Sequence, residues 1–299
     1  MTSVHLPAGL QRSLEETLRS LGDPSAIQSA RGVGGGCIHQ TMCLDTLANR
    51  YLFKWNPSPA AAMYRAEAQG LAALYAVGAV RTPQVLACVE PPDAPAYLLL
   101  EWIEPAGQAW DAARLGEELA ELHRLGTAAA YGFDADNFIG STPQSNHWQP
   151  DWVTFFREER LRPQMMLAAR NGLLPSDRRR RLERLMDRLD ALLGNVKRRP
   201  ALLHGDLWAG NVIGAANGQP VLIDPAVYYG DREAELAFTR LFGGFSLRFY
   251  QAYQSTVPLP ADTAERVDLY NLYHLLNHLN LFGEMYAGEV DRALRRYTD

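Results

Sequence analysis

"LLHGDLWAGN", residues 202–211, decides how the rest of the chain is read. Three polar residues, His204, Asp206 and Asn211, crowd one short stretch directly after an apolar run. Asp and Asn are common in turns because their side chains bond nearby backbone groups, so an ordinary strand-to-loop transition is one reading. The other is a catalytic turn, in which a carboxylate takes a proton from a hydroxyl while an amide oxygen five residues on holds a metal. The rest of the sequence separates the two.

The chain has 299 residues, enough for one large or two medium domains with their own cores. Its 47% apolar and 21% charged residues are those of a water-soluble globular protein. A net charge of −5 leaves no basic footprint for nucleic acid or for an anionic membrane surface. The one basic run, Arg178 to Arg181, opens "RRRRLERLMDRLDALL", whose leucines recur at helical spacing, so the arginines are expected on a solvated helical face. No apolar stretch is long enough to span a bilayer, and the first residues lack the charged-then-apolar layout of a signal peptide. Three cysteines, 37, 43 and 88, have no metal-ligand spacing and leave one unpaired in any disulfide scheme, which points to the reducing cytoplasm.

Along the chain, residues 10–22 have helical periodicity and end at a glycine. Two candidate strands then flank a glycine cluster within 29–47, and a third, "RYLFKW", follows a turn at Ala48–Asn49. Residues 59–78 read as an alanine-rich helix, and "TPQVLACVE" and "AYLLLEWIE" as two more strands. Beyond a short linker near 104–107 the pattern is mostly helical, interrupted by a short β region at 201–224 that carries the opening motif. The expected fold class is α+β and bilobal: a β-rich lobe with one helix over 1–104 and a mostly helical lobe over 105–299, with a cleft between them.

His204, Asp206 and Asn211 form H-x-D-x-x-x-x-N, the spacing of the kinase catalytic loop. Thirteen residues later, "VLIDPA" sets Asp224 at the end of an apolar strand, where a second metal carboxylate would stand. Two oxygen ligands from two loops, completed by phosphate oxygens and water, suit Mg²⁺. Upstream, Lys54 sits among apolar residues of a strand, and Glu67 on the next helix is its candidate partner, the pair that clamps nucleotide phosphates in kinases. Gly34, Gly35 and Gly36 lie where a loop could cover a triphosphate with backbone N–H groups, although G-x-G-x-x-G is not satisfied. No G-x-x-x-x-G-K-[ST] occurs, which argues against a Walker-type nucleotidase. The order of these pieces along the chain is that of a protein-kinase-like fold. An ordinary protein kinase is excluded: Gly205 replaces the loop arginine, Pro225–Ala226 replaces Phe-Gly, and no A-P-E follows.

"GVGGGCIHQ", "DNFIGSTPQSNHWQPDWVTFFREERLRPQM", "LLHGDLWAGN", "IDPAVYYGDREAELAFTRLFGGF" and "LYNLYHLLNHLNLFG" together resemble the fructosamine/ketosamine kinases over nearly the whole chain. The resemblance implies ATP-dependent phosphorylation of ketosamines, the rearranged adducts of sugars with amines, at the sugar 3-hydroxyl. That step serves repair of glycation. It further implies Asp206 as the base or orienting acceptor, Asn211 and Asp224 as Mg²⁺ ligands, Lys54 with Glu67 as the phosphate clamp, and the backbone of Glu101, Trp102 and Ile103 against the adenine. Trp208 beside the base would offer an indole face to the sugar or to an ammonium group, the alternative being lobe packing. Asn146, Trp148, Asp151 and Trp152, in a family-specific segment, are expected to face the cleft.

Four further expectations complete the reading. Asp231 and Glu235 are expected in salt bridges to nearby arginines, with balance of a cationic amine the alternative. His274 and His278, four apart on one helical face, are read as buried, hydrogen-bonded histidines rather than metal ligands. Cys37, in the glycine segment, is a candidate site where oxidation would block nucleotide binding, set against an inert thiol. The acceptor is a small ketosamine or a glycated lysine, with a homodimer left open. An aminoglycoside or amino-alcohol kinase of the same fold, or a non-catalytic nucleotide binder, are the rival readings.

Overall fold

A computed structural model of the chain describes residues 6–33, 40–57, 61–107, 109–194 and 198–299. Its first part is a five-stranded antiparallel sheet of β1 (Ile27–Gly32), β2 (Gln40–Thr46), β3 (Arg50–Trp55), β4 (Val85–Val89) and β5 (Tyr97–Glu101), in the order β1-β2-β3-β5-β4. Two helices cover it rather than one. On α1 (Ala8–Ser20), Leu10, Leu14 and Leu18 recur every four residues and bury against Leu44, Phe53, Tyr97 and Leu99 on one face of the sheet. On α2 (Ala61–Val77), Tyr64 and Leu71 bury against Leu98 and Leu100 on the other.

Strand alternation then dictates where the lysine goes. Tyr51, Phe53 and Trp55 of β3 pack toward α1, so Leu52 and Lys54 must point toward α2. The pairing of Lys54 with Leu98 and of Leu52 with Leu100 sets the same parity on the neighbouring strand.

After residue 101 the chain runs as a strap to the helical part. The strap is tied down by Ala106 N–H donating to Gly214 O at 3.0 Å and Asp111 N–H donating to Gly218 O at 2.8 Å. The second part contains α3 (Ala112–Leu125), the hairpin β6 (Asn137–Ile139) and β7 (Thr142–Gln144), and α4 (Trp152–Phe155), which passes through a π-helical turn (Phe156–Leu161) into α5 (Arg162–Arg170). Next come α6 (Ser176–Asp187), α7 (Leu189–Leu193), β8 (Ala201–Leu203), β9 (Val212–Gly214), β10 (Pro220–Leu222) and β11 (Tyr228–Gly230). The chain closes with α8 (Arg232–Leu241), α9 (Leu247–Thr256), α10 (Thr263–Phe282) and α11 (Ala287–Thr298).

The main core of this part gathers α10 residues such as Leu269, Leu272, Leu276 and Leu279 with α5, α6 and α11. A second core packs α3 on α9 through Leu115, Leu119, Phe249 and Tyr253. Arg178 departs from the expected solvated face. It is buried, and its guanidinium donates to both carboxylate oxygens of Asp291 on α11, at 2.8 and 3.1 Å. Its three neighbours in the run stay at least partly exposed.

Candidate active site

Two short antiparallel strand pairs build the catalytic turn. β8 pairs with β11, setting Leu203 opposite Tyr228, and β9 pairs with β10. The chain between β8 and β9 turns at Gly205, whose φ of 82° suits glycine and whose missing Cβ would run into Ala226 O. Asp224 follows β10 with φ 55°, the one non-glycine residue in the left-handed region among those described. Such backbone strain clusters at functional sites. Main-chain bonds zip the two turns together: Ala226 N–H donates to His204 O at 2.8 Å, and Ile223 N–H to Asn211 O at 3.1 Å.

Within this frame each motif residue has a definite task. The Asn211 side-chain N–H groups donate to Asp206 O at 2.8 Å and Asp206 Oδ2 at 3.2 Å, which turns the amide oxygen away from Asp206. His204 Nδ1 accepts the Asp206 N–H at 3.3 Å, so Nε2 carries the proton and donates to Ile223 O at 2.9 Å. Burial lowers the pKa of His204, against the opposing pull of Glu235, and keeps the ring neutral. Asp206 moves the other way: burial first, then the charge of Asp224, raises its carboxyl well above the usual range, despite the bond from Asn211. A carboxylate with raised proton affinity is suited to accept a hydroxyl proton.

Lys54 is buried and ion-paired with both Glu67, at 2.7 Å, and Asp224. Burial works against its charge, but the two carboxylates outweigh it and hold the ammonium above its usual pKa. Burial raises Glu67 against the pull of Lys54, and the negative charge of Asp224, which shares that lysine, adds to the rise. Lys54 and Asp224 are also the charged side chains lining a cavity of about 320 Å³, otherwise walled by groups such as Leu52, Trp102, Ile103 and Ile213. An apolar slot ending in a lysine and an aspartate is the shape for a flat base with a polyphosphate. Among the described residues no cluster of three or more His, Cys, Asp or Glu could cage a metal. Oxygen donors such as those of Asn211 and Asp224 are of the kind that suits Mg²⁺ bound together with phosphates.

Several sequence expectations need correction. Glu101 does not line the cavity: its N–H donates to Gln84 O at 2.9 Å and its carboxylate pairs with Arg81 at 2.8 Å, leaving Trp102 and Ile103 on the wall. Asn146 is buried and committed, accepting from Arg160 Nη2 at 2.7 Å and donating to Ala135 O at 3.1 Å. Asp151 caps α4 through Thr154 N–H at 2.8 Å, and Trp152 lies in the core against Phe155 and Phe156. Of that group Trp148 and Asp151 are exposed, and the Trp148 ring stacks on Tyr229. Asp231 does pair with Arg198, whereas Glu235 has no arginine partner. His278 is hydrogen-bonded as expected, its Nδ1–H donating to His274 O at 2.8 Å, but His274 stacks flat on Phe238 with its Nδ1 unpartnered. Gly34, Gly35, Gly36 and Cys37 lie outside the described residues. Trp208 is 40% exposed, with its indole folded over Gly210, a residue of the cavity wall.

The sequence pointed only obliquely to what supports the catalytic turn. Buried Glu235 accepts the N–H of His204 at 3.1 Å, the N–H of Gly205 at 2.8 Å and His123 Nε2 at 2.9 Å. His123 Nδ1 in turn meets the Tyr253 hydroxyl at 2.8 Å, so α3, α8 and α9 converge on the backbone that carries Asp206. Burial opposes the charge of Glu235, but His123 and the loop N–H groups hold its pKa below the usual range. The available signal was a histidine at a buried position of an otherwise apolar stripe, in "AELHRL".

A sequence profile described as fructosamine kinase matches residues 10–299. The chain is 41% identical over 98% of both chains to a Synechocystis protein described as a probable ketoamine kinase. It is 39% identical to the chloroplastic protein-ribulosamine 3-kinase of Arabidopsis thaliana, over 98% of this chain and 90% of that one. A solved Thermobifida fusca structure, provisionally described as a fructosamine-3-kinase, superposes with a TM-score of 0.85 at 30% identity, covering 96% of this chain and 98% of the other. An aminoglycoside phosphotransferase superposes with a TM-score of 0.65 at 14% identity over 98% and 100% of the two chains, which shows the shared bilobal kinase fold alone. Fold, turn geometry and sequence likeness converge, and the chain belongs to the fructosamine kinase family.

Proposed function

We propose that the chain transfers the γ-phosphoryl group of ATP to the 3-hydroxyl of a ketosamine, as a step in the removal of sugar adducts from amines. The ATP-dependent phosphotransferase class follows from the family. The acceptor and the residue roles are the proposal, and the names of the relatives support it. Asp206 orients the acceptor hydroxyl and takes its proton as the new oxygen–phosphorus bond forms and the bond to ADP breaks. Lys54, steadied by Glu67, neutralises the nucleotide phosphates, while Trp102 and Ile103 border the base. Asn211 and Asp224 would hold Mg²⁺, which supplies charge neutralisation on the phosphates. Trp208 offers its exposed indole face to the sugar or its protonated amine. Cys43 and Cys88 are free thiols, in keeping with a cytoplasmic setting, and among the described residues no helix is long and apolar enough to cross a membrane.

The single observation that carries the residue assignment is the zipped pair of turns, with Asn211 bonded to Asp206 and Asp224 bonded to Lys54. The test is Mg-dependent ATP consumption against ribulosamine, erythrulosamine and fructosamine acceptors, with an aminoglycoside and choline alongside. Turnover on a ketosamine is expected. Turnover confined to the aminoglycoside or choline would move the acceptor class, and nucleotide binding without turnover on anything would leave a non-catalytic binder.

A further inference from the structure

Asp224 holds a left-handed backbone conformation, and such a conformation persists only where its surroundings enforce it. Two of the enforcing bonds come from the catalytic turn, through Asn211 O before Asp224 and His204 O after it. The next two carbonyls are gripped by side chains from elsewhere. Gln144 Nε2 donates to Ala226 O at 3.2 Å, and Asn137 Nδ2 donates to Val227 O at 2.7 Å. These two residues stand opposite each other in the β6–β7 hairpin, and Gln144 Nε2 also donates to Asn137 Oδ1 at 2.6 Å. Pro225 itself abuts α2, the helix of Glu67: a Cβ on Gly70 would lie 3.0 Å from the proline ring.

The two amides are fixed in direction. Gln144 Oε1 accepts the Tyr273 hydroxyl at 2.5 Å, which leaves its Nε2 to donate. Asn137, accepting at Oδ1, must then turn its Nδ2 to Val227 O. Both side chains are buried, so every bond in the run from Tyr273 to the two carbonyls is made away from water. Just beyond β7, Arg160 of the π-helical turn donates to Ser145 O at 2.5 Å and to Asn146 Oδ1 at 2.7 Å. Its guanidinium also lies 3.9 Å from the ring of Tyr228, the residue after Val227. π-Helical turns are rare and frequent at functional sites. Packing alone would be served by apolar side chains at 137 and 144, since buried amides must first be desolvated.

We propose that Asn137 and Gln144 are positioning residues for Asp224: they lock the backbone that follows it, so that its carboxylate stays set for metal-bound phosphates. This rests on the role proposed above for Asp224. With the two bonds gone the backbone at Asp224 relaxes, and restoring it on binding costs affinity.

The experiment is calorimetric titration of ATP without any acceptor, once with excess Mg²⁺ and once with EDTA in its place. It compares the wild type with Asp224→Asn, Gln144→Met, Asn137→Ala and Ile139→Ala, each first shown to be folded by urea unfolding. Gln144→Met keeps the length of the side chain and frees both carbonyl and amide partners; Asn137→Ala frees Val227 O. Ile139→Ala weakens the same hairpin through its core contact and touches neither carbonyl. The tightening of ATP by Mg²⁺ is expected to shrink about ten-fold in Gln144→Met and about three-fold in Asn137→Ala, with affinity in EDTA within about two-fold of wild type. Asp224→Asn should shrink it at least as much, and Ile139→Ala should leave it within about two-fold. Loss in Asp224→Asn with none in Gln144→Met and Asn137→Ala would overturn the inference while the role of Asp224 stands. Equal loss in Ile139→Ala would overturn it too, because the amides would then be ordinary support for the hairpin. No Mg²⁺ effect in the wild type, or a full one in Asp224→Asn, would remove the metal role of Asp224 and this inference with it.

Discussion

Glu235→Gln isolates the support of the catalytic turn from the turn itself. The two carboxylate oxygens accept three donors: Oε1 takes the Gly205 N–H, and Oε2 takes the His204 N–H and His123 Nε2. Glutamine keeps one acceptor and turns the other position into a donor. If the amide oxygen replaces Oε2, the NH₂ group faces the Gly205 N–H; if it replaces Oε1, the NH₂ group faces the His204 N–H. Either way one backbone N–H of the turn loses its acceptor in a buried site, at about 1–3 kcal/mol, and the remaining bonds lose their charge assistance. A total of about 2–4 kcal/mol in urea unfolding is expected. The turn that relaxes is the one that aims Asp206, and misplacement on the order of 1 Å costs about 10²-fold in rate. The cavity proposed for the nucleotide is lined by other residues, so kcat should fall about 10²-fold while KM for ATP changes less than about three-fold. A stability loss of this size with kcat unchanged would show that Glu235 only holds the fold together.

Three further perturbations follow from the same geometry. Asp206→Asn removes the proposed proton acceptor and should lower kcat by at least about 10²-fold. Because burial and Asp224 disfavour the charge it replaces, the same variant should raise the thermal midpoint of the nucleotide-free protein; a lower midpoint would contradict that environment. Glu67 is raised to about 7, by burial and by Asp224 against the pull of Lys54, so the folded chain binds a proton more tightly than the unfolded chain. Its contribution to stability therefore falls as pH rises from about 4.5 to about 7, and Glu67→Gln should flatten that part of the stability–pH profile measured without nucleotide. Gly116 of α3 lies where a Cβ would strike Phe249 O and come within 3.0 Å of Tyr253 N on α9, so Gly116→Ala should cost about 1–3 kcal/mol in urea unfolding; an unchanged midpoint would mean that the two helices slide apart freely.

Much of this molecule is written locally. The alternation of "RYLFKW" separates Phe53 from Lys54 by strand parity, and that alone aims the lysine at the helix bearing Glu67. The fixed spacing from His204 to Asn211 works because one turn of backbone determines which side chains meet. What the sequence hid depends on distant packing. Asn146 and Asp151 look like cleft residues, yet one holds Arg160 and the other caps a helix, and only the fold of the 131–160 segment decides between those uses. Arg160 illustrates the point: it is fully buried, and lies 4.5 Å from the Phe155 ring and 3.9 Å from the Tyr228 ring, partners 5 and 68 residues away. Glu235 reads as an arginine's salt-bridge partner because nothing within its own helix announces the two amides it meets across the core.

The most direct test of the central claim is to incubate ε-ribulosyl-lysine with Mg-ATP and locate the transferred phosphate on the sugar, with wild type and Asp206→Asn side by side. The account predicts one phosphate at the third carbon of the sugar with the wild type and none above background with the variant. Phosphate absent from the sugar, or present at equal rates with Asp206→Asn, would contradict it.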